Sequence, residues 1–233
     1  MSQPPASLYK RSLCEGLGTG LLVAAVVGSG IMGERLAGGN AAIALLANTI
    51  ATGAALAALI VTFGPLSGAH LNPVVSLAVT LRGMMPWAEM PFYVAAQFAG
   101  GVLGTILAHL MFGREWYSVA VRERSGWPQL LSEFVATFGL LCVVWGCMKV
   151  RSVLATPVAV ASYIVAAYWF TASTSFANPA VTVARSITNT FSGIRPADVP
   201  GFVLAQIAGA MAATLLFGWL DAKRLSAAAE ETS

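Results

Sequence analysis

The sequence predicts an all-α membrane protein: six transmembrane helices plus two re-entrant half-helices, arranged in inverted repeats. Three observations predict it. Only 10% of the 233 residues are charged and 57% are hydrophobic, too little charge to cover a water-facing surface of this size. Six apolar stretches have about the 20 residues that a bilayer crossing requires. Two further apolar segments, Asn72-Pro73-Val74-Val75-Ser76-Leu77-Ala78 and Asn178-Pro179-Ala180-Val181-Thr182-Val183-Ala184, echo each other and are too short to cross.

In chain order, spans are expected at 12–32 and 41–63, followed by the half-helix that opens at Asn72. Asn is a good N-cap, and Pro is tolerated at the first helical position because that N–H has no intrahelical partner. Spans three and four are expected at 88–112 and 130–149, with the polar loop 113–129 draped over one mouth. Span five is expected at 153–171, the second half-helix opens at Asn178, and span six covers 201–220. The two half-helix N-termini are expected to meet near the midplane, each with about half a positive charge. A single channel domain, 1–233, holds one repeat near 10–112 and another near 130–222.

The halves echo each other elsewhere too. Glu15-Gly-Leu-Gly-Thr19 is matched by Glu133-Phe-Val-Ala-Thr137, and Ala96-Gln97-Phe98-Ala99-Gly100 by Ala205-Gln206-Ile207-Ala208-Gly209. Three spans per half is an odd number, so the second half inserts upside down. Glu15 and Glu133 lie in or beside apolar spans, which is costly without partners and marks both as functional candidates. They either couple protons in a transporter or accept hydrogen bonds from irregular backbone entering each half-helix. Such backbone persists at membrane depth only where it is buried or lines water. The glycines Gly16, Gly18 and Gly20, and Gly100, Gly101 and Gly104, suit close helix contact.

Lys10, Arg11, Arg82, Lys149, Arg151, Lys223 and Arg224 fall on one side of this topology, and Arg35, Arg114, Arg122, Arg124 and Arg195 on the other. That bias puts both termini in the cytoplasm, and the net charge of +3 reads as topology with no nucleic acid implied. Met1-Ser2-Gln3-Pro4-Pro5 lacks the layout of a signal peptide. Cys14, Cys142 and Cys147 lack metal spacing and read as packing residues. His70 and His109 are the only histidines, too few for a His-based cluster. No cofactor is expected, and no base, nucleophile and metal constellation suggests an enzyme.

The paired Asn-Pro boxes resemble those of the aquaporin, or major intrinsic protein, family. The resemblance spans the whole chain and implies the aquaporin fold, a membrane-embedded homotetramer with one pore per subunit, and no catalytic or metal residues. It implies a pore midplane at Asn72, Pro73, Val74, Asn178, Pro179 and Ala180, with Glu15 and Glu133 as half-helix buttresses. There Asn72 and Asn178 offer N–H donors that orient one passing molecule and interrupt a water wire, while converging dipoles repel protons and cations. Taken alone, each Asn is simply an N-cap. Val74 stands where the family usually has Ala, and its side chain is expected to pack away from the lumen.

The main departure follows the second box, where Val181 replaces the family's filter Arg. The resemblance puts the other filter positions on Thr52, Ala166 and Ser175; a two-residue slip in the fifth span substitutes Tyr168 for Ala166. With small or weakly polar groups at all four places, the constriction is expected to be wide. Arg185, four residues beyond Val181, lies on the same helix face about 6 Å outward. It either replaces part of the lost charge in the outer vestibule or anchors the loop.

A wide filter suits neutral solutes larger than water. Val at the Arg position resembles the aquaglyceroporins of rhizobial arsenic-resistance operons. That resemblance implies passage of arsenite and methylated arsenicals, with glycerol and water as further permeants, in a bacterial inner membrane. The alternative is a general water and glycerol channel without a metalloid role. A secondary transporter would share inverted repeats and broken helices but show saturable or ion-coupled flux. A structural membrane protein would add no flux at all.

Overall fold

The computed structural model describes residues 6–150 and 152–230, with side chains up to Ala222. The Met1–Pro5 segment, Arg151 and the side chains of Lys223 and Arg224 lie outside the described residues. The helices are α1 (Leu8–Leu36), α2 (Ala41–Ser67), α3 (Pro73–Leu81), α4 (Met90–Met111), α5 (Trp127–Cys147), α6 (Ala155–Phe170), α7 (Pro179–Ala184) and α8 (Val199–Glu230), with 3-10 turns at Arg185–Ile187 and Pro196–Asp198. Helices α1, α2, α4 and α5 and the stretch Pro196–Ala222 are long and apolar enough to cross a membrane.

Helix α6 is shorter than the expected fifth span. It has 16 residues, about 24 Å at the α-helical rise. The chain leaves the helix at Thr171, where φ −109° and ψ 140° are extended, and the residues up to Asn178 form the non-helical approach to α7. The short helices α3 and α7 both begin at Pro after an Asn N-cap, whose side-chain oxygen accepts from backbone N–H groups of the first turn.

The two halves pack alike. In the first, α1 lies on α4 and α2; in the second, α5 lies on α8 and α6. Small residues set the closeness. A Cβ on Gly100 or Gly104 would overlap the carbonyl of Gly16 or Gly20, and one on Gly209, the counterpart of Gly100, would overlap the carbonyl of Phe134. One buried cluster draws on both halves, with Val74, Val75 and Tyr93 from the first and Leu140, Trp145, Ile164 and Tyr168 from the second.

Ion pairs finish the end of the bundle where the chain enters α1. Both guanidinium nitrogens Nη1 and Nη2 of Arg11 donate to the Glu89 carboxylate at 2.7 Å, which holds Glu89 below the usual carboxylate range. Arg82 donates to Asp221 at 2.7 Å, and Lys149 pairs with the other oxygen of the same carboxylate. At the opposite end, the connection between α4 and α5 lies along the segment after α7. Ser118 N donates to the Ile187 carbonyl and Ala120 N to the Ser186 carbonyl, both at 3.0 Å, and Arg195 N donates to the Arg122 carbonyl at 2.8 Å.

Candidate functional site

The segments entering the two half-helices have the same unusual backbone. Ala69 and Leu71 before Asn72, and Ser175 and Ala177 before Asn178, all have positive φ, between 46° and 49°. Each such residue costs about 1–2 kcal/mol, so the conformation needs outside support. Glu15 supplies it in the first half: Oε1 accepts from Ser67 Oγ (2.7 Å) and His70 N (3.0 Å), and Oε2 from Leu71 N (2.6 Å) and Gln97 Nε2 (2.8 Å). Glu133 does the same in the second: Oε1 accepts from Phe176 N (2.9 Å), and Oε2 from Ala177 N (2.9 Å) and Gln206 Nε2 (2.6 Å). Each Gln amide also donates to the half-helix itself, Gln97 to Ser76 Oγ at 3.0 Å and Gln206 to Thr182 Oγ1 at 2.9 Å. A carboxyl group facing several donors is the arrangement that lets each Glu side chain sit fully buried.

Across the midplane the halves clasp each other. Asn72 Nδ2 donates to the Ala177 carbonyl and Asn178 Nδ2 to the Leu71 carbonyl, each at 2.8 Å. The Asn oxygens cap their own helices, Asn72 accepting from Val74 N and Asn178 from Ala180 N and Val181 N. One N–H of each amide therefore goes to the opposite half, leaving a second for a molecule in the lumen. Pro73, Val74, Pro179 and Ala180 are buried but do not line the lumen; Val74 packs into the core.

The lumen is a cavity of about 360 Å³. Val75, Val79, Leu140, Val144 and Val160 line the part beside α3, and Thr52, Tyr168, Ser175, Val181 and Arg185 line the part beside α7. Ala166 does not take the expected filter position: it lies exposed on the outside of α6, and Tyr168 faces the cavity instead. Helical geometry gives the reason. Val160, Ile164 and Tyr168 recur every four residues along one face and all line the cavity, while a two-residue offset turns a side chain by about 200°. Tyr168 is 3% exposed, and its hydroxyl donates to Thr52 Oγ1 at 3.4 Å. The ring is thus less open than small residues alone would make it.

Arg185 anchors the loop after α7 and also stands in the cavity wall. Its guanidinium lines the cavity, with Cζ 3.4 Å from the Phe176 ring centroid. Its Nε donates to the Ser192 carbonyl, and its own carbonyl accepts from Ile194 N, which ties down the loop after α7. Arg124 approaches the same ring at 4.8 Å, and burial, with Arg185 and Arg122 adding to it, pushes its guanidinium down to about 9. It therefore remains a cation at neutral pH. Arg124 and Phe176 are the site residues that the sequence reading missed, whereas Tyr168 was its alternative to Ala166.

Two inverted halves, two half-helices meeting at their N-caps, and a lumen between them define a membrane channel. The chain belongs to the major intrinsic protein family, whose sequence profile matches residues 3–152 and 120–232. It is 55% identical over 213 residues to the aquaglyceroporin AqpS of Rhizobium meliloti strain 1021, covering 91% of each chain. It is 35% identical over 109 residues to the glycerol uptake facilitator protein of Streptococcus pneumoniae, covering 42% of this chain and 47% of that one. The crystal structure of the aquaglyceroporin from Plasmodium falciparum shares the fold, with a TM-score of 0.66 at 18% identity over 91% of this chain and 94% of that one. As a multi-pass member of this family of channels, the protein is a channel and not an enzyme.

Proposed function

We propose that the protein is a passive channel for small neutral solutes, passing arsenite and methylated arsenicals together with glycerol and water. The observation that carries this reading is the lumen wall: Val181 lines it together with Thr52, Tyr168 and Ser175, and the cation beside them, Arg185, comes from one turn further along the chain. The two Asn amides, the hydroxyls of Thr52, Tyr168 and Ser175, and the outward Arg185 serve a polyol or pyramidal triol one hydroxyl at a time. The valines and leucines along the rest of the wall take its carbon or arsenic face. The similarity to an aquaglyceroporin and to a glycerol facilitator supports the glycerol and water part. The metalloid part rests on Val181 and on the resemblance to arsenic-operon channels. The working form is a homotetramer of single-domain subunits in the lipid of the bacterial plasma membrane, with both termini cytoplasmic.

Val181→Arg tests the filter. A long cation with a planar fork of donors reduces the open cross-section, while water still passes by bonding to the guanidinium. Arsenite and glycerol flux into proteoliposomes should fall at least about tenfold more than water flux, a difference of about 1.4 kcal/mol between the barriers. The measurement is stopped-flow light scattering at equal protein density. Unchanged flux of all three would remove Val181 from the filter; equal loss of all three would mean general blockage.

A further inference from the structure

The lumen contains a hydrogen-bonding edge that no group among the described residues satisfies. Arg185 is 2% exposed, and its Nε is spent on the Ser192 carbonyl while its flat face lies on Phe176. Neither of its η nitrogens has a hydrogen-bond partner among the described residues, and no carboxylate lines the cavity that it faces. Arg124, on the same aromatic ring, differs. Its Nε donates to the Gly193 carbonyl and its Nη1 to the Ser173 carbonyl, at 2.9 and 2.8 Å. Glu133, bonded to the Phe176 amide, already serves Ala177 and Gln206 as well. A second orphan lies in the same cavity: Ser175 Oγ is buried and unpartnered, and Ser175 is 2% exposed.

We propose that Arg185 and Ser175 form a binding site for small monoanionic carboxylates at the α7 end of the lumen. A buried cation that no carboxylate contacts, its nearest acid Glu133 being bonded to the backbone and Gln206, is costly, so an incoming anion recovers desolvation energy that a neutral solute cannot. The free guanidinium edge matches two carboxylate oxygens at once, and the Ser175 hydroxyl supplies a further donor. Val181, one turn from Arg185, gives the acid's methyl group an apolar wall. The bound anion occupies the conduction path and competes with neutral solutes. This inference rests on the reading of the cavity as that path.

The test is glycerol flux into proteoliposomes with acetate equilibrated on both sides, against chloride at equal ionic strength and neutral pH. Acetate should inhibit the native channel with a midpoint of roughly millimolar. Each variant is compared with its own flux in chloride. Arg185→Met should lose the inhibition, Arg185→Lys should keep it about tenfold weaker because a point charge lacks the fork, and Ser175→Ala should shift the midpoint a few-fold upward. Absence of inhibition in the native protein overturns the proposal, and so do identical acetate-to-chloride ratios in native, Arg185→Lys and Ser175→Ala protein, whether or not Arg185→Met folds. If the native protein conducts no glycerol, the channel reading has failed, and the site is then judged by thermal unfolding in detergent. An Arg185-dependent rise in Tm with acetate supports it, and no rise overturns it.

Discussion

A two-residue shift along α6 decides which side chain narrows the lumen. Tyr168 faces Thr52 across the cavity, while Ala166 faces out of the subunit. Tyr168→Ala should widen the ring, and proteoliposome assays should show glycerol flux rising several-fold relative to water. Ala166→Leu, on the exposed face, should leave that ratio unchanged. Thr52, Ser175 and Val181 were legible in the sequence because each is tied by short, undisturbed spacing to an Asn-Pro box. The α6 residue has no such anchor. Only the stripe of Val160, Ile164 and Tyr168 marks its face, and a helix of uniform hydrophobicity hides a stripe well. Arg124 and Phe176 were illegible for another reason, since their partners lie far along the chain and no local pattern links them.

Among the elements, the half-helices depend most on support from outside themselves. Helix α7 has six residues, too few to be stable alone. Its entry is held by Glu133 through the amides of Phe176 and Ala177. Glu133→Gln keeps the shape but replaces one acceptor oxygen with a donor facing an N–H. The expected cost is about 2 kcal/mol or more, read as a lower Tm together with reduced flux of every solute. Glu15 and Glu133 were legible as a pair because the duplication repeats them at the same place, and a buried acid appearing twice needs a shared explanation. The same close packing makes Gly100 intolerant of a side chain, because its neighbour is the Gly16 backbone carbonyl. Gly100→Val should cost about 3 kcal/mol, by overpacking, and lower the yield of folded protein in detergent.

At the scale of the whole molecule, the reciprocal bonds of Asn72 and Asn178 join the halves at their centre. Asn178→Asp removes the donor to the Leu71 carbonyl and sets a carboxylate against that oxygen. The expected outcome is loss of flux together with a single cooperative drop in thermal stability, since both halves lose a contact. Native flux and Tm in well-folded Asn178→Asp protein would contradict this account of the clasp. The clasp also has a consequence for synthesis. Its partners are 105 and 107 residues apart, so when the first half has left the ribosome the Leu71 carbonyl and the Asn72 amide still await residues that have not been made. Helices α1 and α4 can zip together early, held by glycine contacts and the Arg11–Glu89 pair. The polar centre cannot, and it closes only once Ala177 and Asn178 have followed into the bilayer. A nascent subunit stalled before α7 therefore carries an open, hydrogen-bonding gap at membrane depth.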